Sequence, residues 1–267
     1  MLALCLDAVH NIASGRAFGV SPMELTIDTS SNRTSVTLSH EGEAQSSFAW
    51  LTASNHSREL LPNLISLLRQ ARVRLSSVEA VIVARGPGSF NGLRVGISTA
   101  KGLALVLEVP LLGVDTLEAE AFTFGFTGFP LRPIHRAGRE EIATALYRQE
   151  NDEWHCLEET HLTTVRALCR QTRRRTLFCG EIPADVMSDM LQSLGEKAII
   201  PTGNTPFRGS ALAALGYRRL SKGARDDPAT LQPLYLRPPN ITKPRARTPR
   251  FITVGETREK DKWSSPD

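Results

Sequence analysis

A short apolar run followed by a glycine- and proline-rich loop and a long helix restricts the fold of this 267-residue chain more than any other feature. The run is AVIVA at residues 80–84, and the loop covers residues 85–91. A strand without polar alternation is typical of a parallel sheet that is covered on both faces. The pattern then predicts a helix over residues 92–108, which Pro110 ends, and another buried strand at 111–114. This unit is the β-α-β crossover of an α/β protein.

Three alternating strands and a helix precede this unit. The strands are predicted at residues 24–29, 34–39 and 44–50, and the helix at residues 57–71. A short helix over residues 116–122 follows the unit. The complete order is β-β-β-α-β-α-β-α, which is the ribonuclease-H-like arrangement of a mixed sheet with helices on its faces.

The second half of the chain repeats the same order of eight elements more faintly. We predict strands at residues 131–135, 141–148, 153–159, 175–180 and 197–200, and helices at 163–174, 183–194 and 208–219. The chain is therefore expected to form two ribonuclease-H-like lobes with mixed sheets, an N-terminal lobe at 23–122 and a C-terminal lobe at 131–236. Residues 123–130 would be the linker between them.

The two ends of the chain differ from the lobes. Residues 1–22 begin with an apolar stretch that has no preceding basic residue and that Asp7 interrupts, so they do not indicate a secretory signal. Because Met23 stands directly before the first strand, we expect residues 1–22 to be a leader or a mis-assigned start. Residues 237–267 hold eight Lys or Arg, four Asp or Glu and five prolines, which predicts a disordered basic tail. Such a tail either aids solubility or holds RNA phosphates.

The composition excludes several classes of protein. No apolar run approaches the roughly 18–20 residues of a membrane span, so we expect no association with a membrane. The four cysteines show no CxxC spacing and the six histidines include no HxxxH pair, so we expect no metal site. Reduced, scattered cysteines are typical of a cytoplasmic protein.

Small and polar residues at two strand ends are candidates for a phosphate site or for ordinary turns. They are Asp28, Thr29, Gly86, Gly88, Ser89 and Asn91. Backbone N–H groups at a helix N-terminus can bind an anion. Glycine is equally typical of a tight turn, and Ser or Asn of a helix cap. Since the loop has neither a GxGxxG nor a GK[ST] pattern, both interpretations stay open.

The helix after the loop carries a stripe of small residues. Gly92, Gly96, Ala100 and Ala104 recur every four residues, so they share one helix face. Glycine inside a helix costs about 1 kcal/mol relative to alanine, which suggests a compensating contact. The stripe would admit a closely packed neighbour, either the helix at residues 57–71 or a helix of a partner protein.

Five segments together resemble the TsaB (YeaZ) family. They are LTIDTS at 25–30, HSRELLP at 56–62, RGPGSFNGLRVG at 85–96, AKGLA at 100–104 and PLYLR at 233–237. The resemblance implies the actin-like/Hsp70/sugar-kinase (ASKHA) fold. It also implies a non-catalytic scaffold and activating subunit that dimerises with the related subunit TsaD. TsaD transfers the threonylcarbamoyl group to N6 of adenosine 37 in tRNA.

The resemblance further implies a helix bundle with TsaD, formed by the helices at residues 57–71 and 92–108. Its expected contact residues are Leu60, Leu64, Leu68, Gly92, Gly96, Ala100 and Ala104. This chain would hold no cofactor, because ATP and metal are expected on the partner subunits TsaD and TsaE. It would meet tRNA only through the complex, and the same helices allow a homodimer when the partner is absent.

Three departures and two alternatives accompany this resemblance. Residues 115–120 (DTLEAE) lack the HxxxH pair that holds the metal of TsaD, Asn91 replaces the family's usual threonine, and His135 stands where the family often has aspartate. One alternative is an independent ATP-dependent enzyme of the same fold that uses the loop from Gly86 to Gly92. The other is a general RNA-binding protein that acts through its tail. Residues 173–175 (RRR) either touch RNA or form a solvated helix end.

Overall fold

Two five-stranded mixed sheets form the centre of the fold in the computed structural model, which describes residues 22–53, 55–138, 140–151, 153–203 and 206–237. The first sheet consists of β1 (Met23–Asp28), β2 (Arg33–His40), β3 (Glu43–Leu51), β4 (Val78–Gly86) and β5 (Leu111–Asp115). Its order is β3-β2-β1-β4-β5. Strands β1 to β3 are antiparallel neighbours, whereas β4 runs parallel to β1 and to β5.

The second sheet has the same internal order as the first. It consists of β6 (Leu131–Arg136), β7 (Glu141–Glu150), β8 (Glu153–Thr164), β9 (Thr176–Cys179) and β10 (Ala198–Ile199). Its order is β10-β9-β6-β7-β8, with β6, β7 and β8 antiparallel and β6, β9 and β10 parallel. The predicted pair of ribonuclease-H-like units with mixed sheets is confirmed.

Six α-helices cover these sheets in the described residues. They are α1 (His56–Ala71), α2 (Phe90–Leu107), α3 (Thr116–Phe122), α4 (Val165–Gln171), α5 (Ala184–Leu194) and α6 (Gly209–Leu220). Helices α1 and α2 bury their apolar faces against the first sheet, in a core that includes Leu25, Leu64 and Ile97. Helices α4 and α5 do the same on the second sheet through Leu168 and Met190.

Helix α6 packs on the first sheet although it follows the second in the chain. Ala211, Leu212 and Leu215 of α6 share a core with Ile82 of β4. A Cβ added at Gly216 would lie 2.6 Å from Cδ1 of Ile82, so this helix depends on glycine for its close approach to the sheet. The expected C-terminal lobe at 131–236 therefore does not pack as one separate lobe.

The segment after α6 returns to the edge of the first sheet. The N–H of Asp226 donates to the carbonyl of Leu111 at 2.8 Å, and the N–H of Leu234 donates to the carbonyl of Arg85 at 2.7 Å. Leu231 is buried in the first core. This return strengthens the connection between the C-terminal residues and the N-terminal sheet.

The boundary between β8 and α4 differs from the prediction. The helix was expected over 163–174, but β8 continues to Thr164 and α4 covers only Val165–Gln171. The Oγ1 of Thr164 accepts a hydrogen bond from the N–H of Ala167 at 3.2 Å, which caps the helix. Two consecutive threonines at 163 and 164 favour an extended strand.

No helix in the described part of the chain is both long and apolar enough to cross a membrane. The expected leader at 1–22 lies outside the described residues except for Pro22, and the expected tail lies outside them beyond Arg237.

Candidate functional site

The loop from Gly86 to Gly92 is packed against the end of β1. The N–H of Ser89 donates to the carbonyl of Ser30 at 2.6 Å. The Oγ of Ser89 accepts from the N–H of Gly92 at 3.3 Å and so caps α2, while Asn91 is exposed. A Cβ at Gly88 would overlap the carbonyl of Ser30, and one at Gly92 would overlap the carbonyl of Thr29. These two glycines therefore allow two backbone segments to meet.

The contacts of this loop favour a structural turn over a phosphate site. The N–H groups of Ser89 and Gly92 already have acceptors within the chain, so they are not free to bind an anion. The hydroxyl of Thr29 donates to the carbonyl of Gly92 at 2.8 Å, which ties the strand end to the helix. Of the capping residues proposed from the sequence, Ser89 performs that role.

Asp28, at the end of β1, has all of its described contacts inside the protein. Its Oδ1 accepts from the N–H of Ser30 at 2.9 Å and from the hydroxyl of Ser30 at 2.6 Å. Its Oδ2 accepts from Nε of Arg208 at 2.8 Å. A carboxylate engaged in this way has little capacity left for a metal-bound phosphate.

Arg208 is the centre of a buried ion cluster between the two sheets. Its side chain is 2% exposed. Besides Asp28, its guanidinium donates to Oε1 of Glu120 at 2.7 Å, to Oε1 of Glu181 at 3.2 Å and to Oγ of Ser31 at 2.9 Å. These groups come from four parts of the chain, so the cluster joins the end of β1, α3, the residues after β9 and the start of α6.

His135 of β6 extends this cluster. Its Nε2 lies 2.7 Å from Oε1 of Glu120. Burial lowers the pKa of His135, but the adjacent carboxylate of Glu120 raises it more, so the pKa lies above its ordinary value. Burial raises the pKa of Glu120, but His135 and Arg208 hold it below its ordinary value. Both directions describe a charged pair that is stabilised by its neighbours.

Sequence reasoning did not assemble this cluster. In the sequence, Glu120 and His135 stand out only as departures from family motifs, and Arg208 belongs to no motif. Arg208 is 180 residues from Asp28, and no local spacing connects them. The one local feature of Arg208 in the sequence is its position directly before the apolar helix α6.

The seven residues expected to contact a partner are instead part of the chain's own core. Leu60, Leu64, Leu68, Gly92, Gly96, Ala100 and Ala104 are all buried in the described structure. A Cβ at Gly96 would overlap Oγ1 of Thr29, so the small-residue stripe faces β1. Their assignment as contact residues is wrong, because a face that the chain's own sheet covers cannot also meet another protein. The involvement of the two helices stays a prediction.

The outward side of α1 and α2 carries different apolar residues. Leu105 is 64% exposed and Val106 is 73% exposed near the end of α2, and Leu61 is exposed on α1. Phe90, at the start of α2, lies 5.1 Å from the ring of Tyr235, measured between centroids. Exposed large apolar side chains on neighbouring helices are typical of protein–protein contacts.

Asp115 and Glu118, in the segment at 115–120, form ion pairs with arginines of the chain. Nε of Arg85 donates to Asp115 at 2.5 Å, and Arg219 donates to both oxygens of Glu118 at 2.6 and 2.7 Å. No group of three His, Cys, Asp or Glu residues suited to a metal ion occurs within the described ranges. The carboxylates of Asp115 and Glu118 are thus engaged by arginines of the chain.

The class of protein follows from this architecture: a two-lobed α/β protein of the actin-like/Hsp70/sugar-kinase fold. Its structure is similar to that of YeaZ from Pseudomonas aeruginosa, with a TM-score of 0.67 and 26% identity, covering 81% of this chain and 100% of that one. A second P. aeruginosa structure, described as similar to peptidase YeaZ, gives a TM-score of 0.68 at 24% identity and covers 82% of this chain and 100% of that one.

Sequence relatives then define the family. The family model TsaD, described as tRNA N6-adenosine threonylcarbamoyltransferase, matches residues 50–178. The tRNA threonylcarbamoyladenosine biosynthesis protein TsaB of Bacillus subtilis is 30% identical over 219 residues, which is 80% of this chain and 93% of that protein. TsaB of Escherichia coli is 36% identical over 134 residues, which is 49% of this chain and 58% of that protein. The chain belongs to the TsaB (YeaZ) family.

Proposed function

We propose that this chain is a non-catalytic scaffold and activating subunit in the formation of N6-threonylcarbamoyladenosine at position 37 of tRNA. Membership of the TsaB family supports a role in this biosynthesis. In the proposed complex the chain dimerises with TsaD, and TsaD carries out the transfer. TsaE joins the complex, ATP and metal bind to the partner subunits, and the assembly works in the cytoplasm.

The ion cluster around Arg208 is the observation that carries the non-catalytic part of the proposal. The guanidinium of Arg208 holds Asp28, Glu120 and Glu181 in internal contacts. A general base or a phosphate-binding group must be free to meet its substrate. No contact of the loop from Gly86 to Gly92 favours the alternative of an independent ATP-dependent enzyme.

The outward faces of α1 and α2 support the proposed docking on TsaD. Leu105 and Val106 near the end of α2, and Leu61 on α1, give both helices exposed apolar side chains. The match to the TsaD model includes both helices, so partner and chain share a related fold in this region. Two related helix pairs can pack as a bundle. A homodimer through the same face would form when TsaD is absent.

Size-exclusion chromatography with light scattering of this chain mixed with TsaD from the same source tests the docking surface. We expect the wild-type mixture to elute as a complex, and Leu105→Glu/Val106→Glu to prevent it, because two carboxylates would be buried in an apolar contact. Leu157→Glu is the control, since Leu157 is 52% exposed on β8 of the other sheet. Complex formation by the double variant, or equal loss in the control, would contradict the assignment.

A further inference from the structure

A groove between α4 and α5 concentrates positive charge on the second sheet's side of the molecule. It has a volume of about 710 Å³, and its lining includes Arg166, Arg170, Arg173 and Lys197. Asp189 is the single carboxylate among its described lining residues. Arg174 continues the positive charge beyond the groove. The groove is separate from both the Arg208 cluster and the outward faces of α1 and α2.

Among the residues that the structure describes, the cations of this groove form no ion pairs. Within the described part of the chain, no carboxylate lies within 4.0 Å of Arg166, Arg170, Arg173 or Lys197. All four are exposed. Like charges gathered without partners repel one another and give nothing to folding. Such an arrangement gains stability when an anion neutralises it.

The placement of the charges fits an extended anion. Arg166 and Arg170 lie one turn apart on α4, about 6 Å along the helix axis. Arg173 follows the end of that helix, and Lys197 closes the turn at Gly195–Lys197 on the opposite wall. Charges on two walls suit a chain of phosphates that runs through the groove better than one small anion.

The remaining lining residues suit contacts to the phosphates and sugars of a nucleic acid better than contacts to its bases. Thr172, Gln192 and Ser193 add neutral hydrogen-bonding groups, and no described lining residue is aromatic. Base-specific recognition of single strands relies on stacking against aromatic side chains, whereas contacts to phosphates and sugars rely on cations and polar groups.

We propose that the groove between α4 and α5 binds the phosphate backbone of the tRNA, so that this subunit contacts the substrate of its complex directly. The choice of RNA as the polyanion rests on the proposed function. The arginines at 173 and 174 then belong to an RNA-binding surface rather than to a merely solvated helix end. Binding through phosphates is insensitive to base sequence and weakens steeply with salt.

Fluorescence anisotropy with labelled, unmodified tRNA tests this proposal on the full chain and on its mixture with TsaD. The variant Arg166→Glu/Arg170→Glu is compared with Lys222→Glu/Arg225→Glu, whose exposed residues follow α6 and which changes the net charge equally. We expect the groove variant to bind tRNA at least about tenfold more weakly, with a salt slope reduced by roughly two. The control variant should bind like the wild type.

Three results would overturn the proposal: no binding by the wild type, no loss in the groove variant, or equal losses in both variants. Competition by polyglutamate as effective as that by tRNA of equal charge would assign the groove to acidic protein instead. Thermal melts of both variants check that they are folded. Complex formation with TsaD is followed separately, so a failure of the proposed partnership stays distinguishable from a failure of RNA binding.

Discussion

At the scale of single residues, the carboxylate of Asp28 at the end of β1 forms a buried ion pair with Arg208. What Asp28 contacts is decided by a guanidinium that the chain supplies 180 residues later. Only the folded arrangement of both sheets brings the two together.

Replacing Arg208 with methionine should destabilise the protein strongly. The substitution would leave Asp28 buried without its counter-charge and Glu120 with His135 alone, and breaking a buried pair in this way costs about 3–5 kcal/mol. Urea unfolding measures the change in the free energy of unfolding. Lys222→Met, at an exposed position without an ion pair in the described residues, is the control. A loss for Arg208→Met no larger than that of the control would contradict the account.

The stabilising effect of His135 should depend on pH. Burial lowers the pKa of His135 in the folded protein, but Glu120 raises it more, so the pKa lies above its ordinary value. The stabilisation by His135 is therefore complete below the unfolded pKa of about 6.5. It is then lost as the pH rises through the folded pKa. The difference in free energy of unfolding between the wild type and His135→Gln should therefore shrink above pH 6.5. A difference that stays constant or grows with pH would contradict a raised pKa of His135 in the folded protein.

At the scale of elements, helix α2 shows what a periodic pattern can predict. The recurrence of Gly92, Gly96, Ala100 and Ala104 correctly places these residues on one helix face. The pattern does not identify what covers that face, because a strand of the chain's own sheet and a helix of a partner would both favour small residues there. The structure places β1 there, and the residues available to a partner lie on the opposite side of the helix.

Two glycines of α2 should respond in opposite ways to alanine. Gly96→Ala should destabilise the protein by about 1–3 kcal/mol, because the new Cβ would overlap Oγ1 of Thr29. Gly102→Ala should stabilise it by about 1 kcal/mol, because Gly102 is exposed inside a helix and a Cβ there meets nothing within 4 Å. Thermal or urea unfolding of both variants measures the changes. Equal effects would contradict the orientation of the stripe.

At the scale of the whole molecule, the two sheets were predictable and the path of α6 was not. Alternating strands joined by hairpins, followed by buried strands and helices, allow few arrangements other than the ribonuclease-H-like order. The apolar residues of α6, including Leu212 and Leu215, would suit a face of either sheet equally well. The sheet on which α6 packs depends on the route of the chain between the elements. Only the structure therefore assigns this helix to the first sheet.

A reconstituted assay of ATP turnover and threonylcarbamoyladenosine formation shows most directly whether this chain is a non-catalytic activating subunit. The assay compares three samples on unmodified tRNA: this chain alone, TsaD with TsaE, and all three proteins together. We expect no turnover by this chain alone and product formation that requires it in the mixture. Turnover by the isolated chain, or full product formation without it, would contradict the role of a non-catalytic activating subunit.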